Sequence, residues 1–426
     1  MNYLENVDIK TLQQKLKRAS ADVSQLEEKV SAVMRDVRVR GDAAVREYTQ
    51  KFDGVQLTEF SVDSFQLENA QKNVSEELKT AIQLAKSNIE KFHALQKSAV
   101  VEIETMPGVK CWRKNIPIEK VGLYIPGGSA PLFSTILMLV VPAKLAGCKE
   151  IILCTPPSKD GNVNPAILYT AQLCGVTKIF KVGGAQAIAA MAYGMESIPK
   201  ADKIFGPGNS FVTCAKQLIA KEGMAIDIPA GPSELAVFAD ASVPASFIAA
   251  DLLSQSEHGP DSQVVVVSTS KNVLDNVMKE VEKQVEALPR QEIAKKSLAN
   301  SFAILAKNET EAMDLLNDYA PEHLILACEN AEELSGRVVN AGSVFLGAWS
   351  PESVGDYASG TNHTLPTNGF ARAWSGVSLD SFVKKVTFQQ LTKEGLQNIG
   401  PSVELMAEAE GLFAHKNAVT IRINNV

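Results

Sequence analysis

From Val121 onward the chain keeps one rhythm: a short apolar run, a glycine- or proline-marked turn, then a helical stretch. No other feature restricts the fold as much. Val121-Gly-Leu-Tyr-Ile125 leads into Pro-Gly-Gly-Ser-Ala-Pro131, and Glu150–Cys154 leads into Thr155-Pro-Pro. Lys178–Val182 leads into Gly-Gly-Ala-Gln-Ala from Gly183, and Asp202–Phe205 into Gly-Pro-Gly-Asn-Ser210. Such alternation specifies right-handed βαβ units and a parallel sheet with helices on both faces. The rhythm resumes with strands at Gln263–Val267, Phe302–Leu305, Leu324–Leu326 and Ser343–Leu346, separated by helical stretches, which predicts a second parallel sheet. The fold class is therefore α/β: two Rossmann-like parallel-sheet domains with helical N-terminal and C-terminal extensions.

At 426 residues two or three domains are expected. Helical spacing covers about 8–52, with Gly54 as a break, and about 64–95; residues 100–120 alternate in short runs and read as a β connection. Leu132–Ala143 is apolar but too short to span a bilayer, so it reads as a buried helix. From Val377 the strands thin out, leaving a helical tail and a terminal strand, Ala418–Arg422. A net charge of −7 argues against nucleic acid or an anionic membrane as partner. Six scattered cysteines, most in apolar runs and none in a CxxC, fit reduced core thiols. The N-terminus has no signal-peptide core, so a cytoplasmic protein is expected.

Four turns, PGGSAP, GGAQA, GPGNS and AGPSE (230–234), read as strand-to-helix turns on one sheet edge. Backbone N–H groups at helix N-termini suit a dinucleotide pyrophosphate there. None is a GxGxxG, and each alone fits a tight turn equally well. In DLLSQSEHGPDSQ (251–263), Gln255 and His258 project from one helix face just before Gly259-Pro260, flanked by Glu257 and Asp261. The pair could hold a divalent cation; taken alone it reads as a polar helix terminus. Only five histidines occur, and four of them (His258, His323, His363, His415) lie in polar segments of the second half. His258, Asp356 and His415 with the Gln255 oxygen make a mixed N/O set suited to Zn²⁺. Glu322-His323, between Pro321 and an apolar strand, fits a proton-transferring pair and, in isolation, a solvated turn equally. His363 and His93 receive no role.

The stretches VGLYIPGGSAPLFST, VGGAQAIAAMA, KIFGPGN, IDIPAGPSE, DLLSQSEHGPDSQV, APEHL, GSVFLGAWSPESVGDYASGTNH and AHKNAVTIR closely resemble the histidinol dehydrogenase family over nearly the whole chain. The resemblance implies oxidation of L-histidinol to L-histidine through L-histidinaldehyde with two NAD⁺, the last step of histidine biosynthesis. It implies one Zn²⁺ per subunit on Gln255, His258, Asp356 and His415, with Glu322 and His323 as the acid/base pair. Substrate contacts would be Ser233, His323, Asp356 and Glu410, together with the ligands Gln255, His258 and His415. Tyr124, Gln186 and Asn209 match the NAD contacts. A homodimer sharing its active site between subunits is implied, with Glu410 and His415 acting across the interface, and the monofunctional form without a fused domain. The expected partition is an N-terminal helical arm (1–20), a first α/β domain (21–118 and 235–376) carrying the metal and acid/base residues, a second α/β domain (119–234) carrying the NAD turns, and a C-terminal dimerisation segment (377–426). Competing readings are a zinc- and NAD-dependent alcohol dehydrogenase with another small substrate, a zinc hydrolase in which Glu322 activates water, and a non-catalytic metal or nucleotide binder. The choice between zinc and manganese stays open.

Overall fold

Runs such as Gln263–Ser268, buried at every position, satisfy their backbone only by pairing on both edges and their side chains only between two layers. The computed structural model describes residues 1–5, 11, 14–16, 18, 23–127, 131–228 and 231–425. Its strands are β1 (Asn2–Glu5), β2 (Glu102–Met106), β3 (Val109–Pro117), β4 (Lys120–Tyr124), β5 (Glu150–Thr155), β6 (Lys178–Lys181), β7 (Lys203–Phe205), β8 (Ala225–Ile226), β9 (Glu234–Ala239), β10 (Gln263–Ser268), β11 (Phe302–Leu305), β12 (His323–Ala327), β13 (Ser343–Leu346) and β14 (Val383–Leu391).

Two parallel sheets carry the fold. One has the order β6-β5-β4-β7-β8, the other β1-β11-β10-β9-β12-β13. In the first, helices Phe133–Ala146 and Pro165–Cys174 cover one face, and Gly184–Tyr193 and Ser210–Lys221 the other. Phe133–Ala146 is buried from Ser134 to Ala143, as its unbroken apolar sequence demands. In the second sheet, Ala245–Ser256, Lys271–Val285 and Gln291–Ala299 cover one face and Glu309–Tyr319 with Ala331–Ser335 the other. The six cysteines are free, and five are buried. Among the described residues no helix is long and apolar enough to cross a membrane.

Several expectations are corrected. The helices Val23–Arg40, Asp42–Asp53, Ser64–Lys72 and Glu76–Ala94, assigned from sequence to the domain of 235–376, pack instead on the helices of the β4–β8 sheet. Their apolar faces fit a second layer over either sheet, so sequence pattern alone cannot choose. The helical arm expected over 1–20 opens as a strand: Asn2–Glu5 extends the second sheet by pairing with Phe302–Leu305, and four residues are too few to show a period. Parts of that arm, together with Gly128, Ser129 and Ala130 of PGGSAP and Ala230 of AGPSE, lie outside the described residues. Gly231–Glu234 does not connect a strand to a helix but leads into β9, a central strand. Glu-Leu-Ala-Val-Phe-Ala is covered on both faces, so it shows no alternation and gives no strand signal.

The C-terminal region also differs. Val383–Leu391 is a nine-residue strand antiparallel to Val109–Pro117, with Phe388 stacked on Trp112 (centroids 5.5 Å apart). Ala418–Arg422 is not a strand but part of helix Phe413–Asn424. Val419 and Ile423, four apart, close on Gly400 of the preceding helix, where a Cβ would lie 2.4 Å from Ile423 Cδ1. That partner groove overrides the β-branched composition.

Phe382 joins this C-terminal region to the first sheet. It is fully buried, stacks on Phe205 with centroids 4.2 Å apart, and its carbonyl accepts from Ile118 N–H at 2.9 Å. Phe382→Ala should cost about 3–5 kcal/mol in denaturant unfolding. A loss under about 1 kcal/mol would mean the cavity collapses and the contact anchors nothing.

Candidate active site

The two sheets present opposite edges to function. In the β4–β8 sheet the glycine-rich turns follow the carboxyl ends of the strands, the usual ligand edge of an open parallel sheet. They line a cavity of about 1100 Å³ shared by Tyr124, Gln186 and Asn209. The Tyr124 hydroxyl accepts from Gly184 N–H at 3.1 Å, and burial pushes its phenol up to about 12. Gln186 is buried with neither amide atom partnered among the described residues, an arrangement that favours a polar ligand. Asn209 caps helix Ser210–Lys221 by accepting from Phe211 and Val212 N–H. Gly206, at φ +120°, must be glycine: a Cβ would sit 2.0 Å from the Tyr124 carbonyl.

Behind that turn lies an ion pair that sequence reading missed. Lys216, 3% exposed, contacts Asp227, and its ammonium donates to the Gly206 carbonyl at 2.8 Å. Asp227 Oδ2 accepts from Gly206 N–H at 2.7 Å. One buried pair therefore satisfies both backbone groups of the glycine.

The second cluster forms at the amino edge of the other sheet. Glu234 opens β9, Gln263 opens β10, and Glu322 immediately precedes β12, which His323 opens. Gln255 and His258 arrive there from the end of helix Ala245–Ser256, and Asp356 from the short helix Glu352–Tyr357. His323 Nδ1 donates to the Glu234 carbonyl at 3.2 Å in the tautomer that leaves Nε2 free, and Nε2 lies 3.3 Å from Asp356 Oδ1. Glu322 Oε2 accepts from Glu234 N–H at 2.9 Å and lies 3.7 Å from His323 Nδ1. Gln255, with its oxygen turned toward Glu234 N–H (3.0 Å), donates to Glu352 Oε1 at 2.7 Å.

Burial and crowding set the charges. Burial pushes Glu322 up to about 8 and Glu352 up to about 7. Burial also pulls His323 down, but Glu322, Glu352 and Asp356 around it outweigh that and raise it to about 10. Burial pushes Asp356 up, but the close approach and attraction of the His323 ring overcome it and hold Asp356 below the usual carboxylate range.

Among the described residues, His323, Glu352 and Asp356 offer donor atoms within 4.8 Å of one another. Of the four ligands expected from sequence, Asp356 belongs to this group, Gln255 hydrogen-bonds Glu352, and His258, exposed, lies within electrostatic reach of Asp356, His323 and His363. His415 does not join them. It is exposed in the first turn of helix Phe413–Asn424, and Glu410 is exposed at the end of Lys393–Ala409. Ser233 adjoins Glu234, its carbonyl accepting from Gln263 N–H at 3.2 Å. Glu352 was not singled out from sequence, although its i,i+4 spacing to Asp356 after Pro351 is a readable signal. His363 bridges the two halves: Nδ1 meets the Asp356 carbonyl at 2.7 Å and Nε2 meets Thr135 Oγ1 at 3.2 Å, on the helix after PGGSAP.

Residues 16–423 match the model of the histidinol dehydrogenase family. The chain belongs to that family. It is 59% identical over 411 residues to the histidinol dehydrogenase of Bacteroides thetaiotaomicron, covering 96% of each chain. With the histidinol dehydrogenase of Escherichia coli K12 it shares 51% over 397 residues, 93% of this chain and 91% of the other. The crystal structure of histidinol dehydrogenase from Elizabethkingia anophelis superposes with a TM-score of 0.97 at 55% identity, covering 100% of this chain and 98% of that one. Membership makes the chain an NAD-dependent oxidoreductase of histidine biosynthesis, as the sequence resemblance implied. The candidate residues thus lie mainly at the carboxyl edge of one sheet and the amino edge of the other.

Lys216→Met would leave Asp227 buried and unpaired, with an expected cost of about 3–5 kcal/mol in denaturant unfolding. The double variant Lys216→Met/Asp227→Leu should recover most of it; a double variant as unstable as the single would place the loss elsewhere.

Proposed function

We propose that the chain oxidises L-histidinol to L-histidine in two hydride transfers to two NAD⁺, holding L-histidinaldehyde between them, with Zn²⁺ at the amino-edge cluster. The observation that carries this reading is His323: its Nδ1 is fixed on the Glu234 carbonyl while its buried Nε2 lies 3.3 Å from Asp356 Oδ1 with no hydrogen-bond partner among the described residues. Hydride can leave a carbinol carbon only as the hydroxyl proton is withdrawn, so His323 would be the base in both oxidations once the charge of a bound Zn²⁺ offsets the carboxylates that raise it. Glu322, pushed by burial to about 8, exchanges protons near neutrality and serves to activate the water that hydrates the aldehyde.

The donor set fits zinc. Asp356 Oδ1 is buried with no hydrogen-bond partner among the described residues, and imidazole, carboxylate and amide oxygen together suit that ion. Asp356, His258 and Gln255 would hold it, with His415 supplied by a second copy of the chain. When bound, zinc supplies an anchor for the substrate's imidazole and amine, so its gain is orientation more than activation of the hydroxyl. Glu352 holds Gln255 in place, its Oε1 accepting from the Gln255 amide and its Oε2 from Ser254 at 3.2 Å. It orients a ligand. Ser233 and Glu410 would read the rest of the substrate, and Tyr124, Gln186 and Asn209 the dinucleotide.

A homodimer with a shared site accounts for the placement of Glu410 and His415. Their helical hairpin exposes Leu405 (70%), Met406 (65%) and Phe413 (63%), an apolar surface that a second subunit would cover.

His323→Ala should lower turnover of L-histidinol, read as NADH absorbance, by at least about a thousandfold while zinc content stays near wild type. Loss of zinc in that variant would make His323 a ligand. Chelation should abolish NADH production and added Zn²⁺ restore it; activity untouched by chelation would remove the metal from the reading. Mixing inactive His323→Ala and His415→Ala chains should restore partial activity once subunits exchange. Failure despite verified exchange would place each site within one chain.

A further inference from the structure

Glu234 breaks the character of its strand. It is a carboxylate, 1% exposed, at the head of the apolar run Leu235–Ala239. A buried carboxylate is tolerated only when it is paired and its oxygens are hydrogen-bonded. Arg18, 216 positions away, supplies the pair: Nε donates to Oε1 at 2.8 Å and Nη2 to Oε2 at 2.8 Å. Asn368 N–H adds a third bond to Oε1 at 2.7 Å. Arg18 is itself fixed, donating to the Tyr319 carbonyl at 2.8 Å with its guanidinium 3.9 Å from the centre of the Tyr319 ring.

The backbone of this same residue touches both members of the acid/base pair. Its N–H meets Glu322 Oε2 at 2.9 Å, and its carbonyl meets His323 Nδ1 at 3.2 Å. We infer that Arg18 and Glu234 form a positioning clamp that locks the Glu234 peptide and, through it, the orientation of Glu322 and the tautomer of His323. A planar two-pronged fork restrains the carboxylate in direction as well as distance, which a lysine would not do. Released from the fork, Glu234 could rotate, and its peptide would no longer hold two catalytic side chains in one register. Displacements of about 1 Å at such groups cost roughly a hundredfold in rate. Both Glu234 oxygens are committed to Arg18 and Asn368, so the clamp acts through the groups it orients.

This inference rests on Glu322 and His323 being the acid/base pair. The test compares wild type, His323→Ala, Arg18→Lys and the double variant Arg18→Met/Glu234→Gln in steady-state oxidation of L-histidinol with NAD⁺. The double variant leaves no orphaned charge, and Gln can still accept from Asn368 N–H. It should keep its zinc content, its unfolding midpoint and, within about twofold, its KM for NAD⁺, while kcat falls about 10- to 100-fold. Arg18→Lys, which retains the charge and loses the fork, should fall between the double variant and wild type. Wild-type kcat in the double variant overturns the clamp. So does a fall in kcat that merely tracks lost zinc or lost folded protein. Should the double variant not fold, Arg18→Lys decides, and unchanged kcat there overturns the inference. Turnover surviving in His323→Ala would instead defeat the reading of the acid/base pair, a different failure.

Discussion

Carboxylates from Glu322, Glu352 and Asp356 crowd a single imidazole at the amino edge of a parallel sheet, with the paired carboxylate of Glu234 buried behind them, largely out of contact with water. A low-dielectric interior admits such a group only if each charge has a partner or gives up its ionised form. Everything around it follows that requirement. Burial pulls His323 down and the three carboxylates around it pull it up, while Glu322 and Glu352 rise because burial penalises their charge. Glu234 is paired outright and lends its peptide to the others.

The architecture separates tasks by sheet edge. Glycine-rich turns at the carboxyl ends of one sheet form a roomy cavity with an unsatisfied amide, suited to a polar, extended ligand. The other sheet uses its amino edge, where strand-opening residues can point side chains outward while their backbones pair inward. His363 ties Asp356 of the buried cluster to Thr135, on the helix that follows the glycine-rich turn at the first sheet. Gly342 shows how closely that edge is packed: a Cβ there would sit 2.5 Å from the Glu322 carbonyl.

The parallel sheets were legible because turn and helix follow strand in a fixed order, and each run named as a strand from Val121 to Leu346 is one. What failed lacked a local signal. β9 is apolar on both faces and shows no alternation; β14 is largely exposed and finds its partner some 270 positions earlier. Helix Phe413–Asn424 owes its state to a groove at Gly400 that composition does not reveal. Within the site, His323 stood out as one of only five histidines, and Gln255, Glu322 and Asp356 through their pairing with histidines in polar segments. Arg18, Glu234, Lys216, Asp227 and Glu352 did not, because a charged residue reads as a solvated one until the fold buries it. Glu410 and His415 are exposed on the terminal helices, away from the buried cluster, and no local pattern in the sequence separates them from it.

The central claim is that His323 is the base and not a ligand of the metal. Crystals of the zinc-loaded protein, measured at the zinc absorption edge, test it most directly. The account predicts an anomalous peak bonded to Asp356 and His258, with His323 Nε2 uncoordinated and Nδ1 still on the Glu234 carbonyl. A peak bonded to His323 and Glu352 would contradict it.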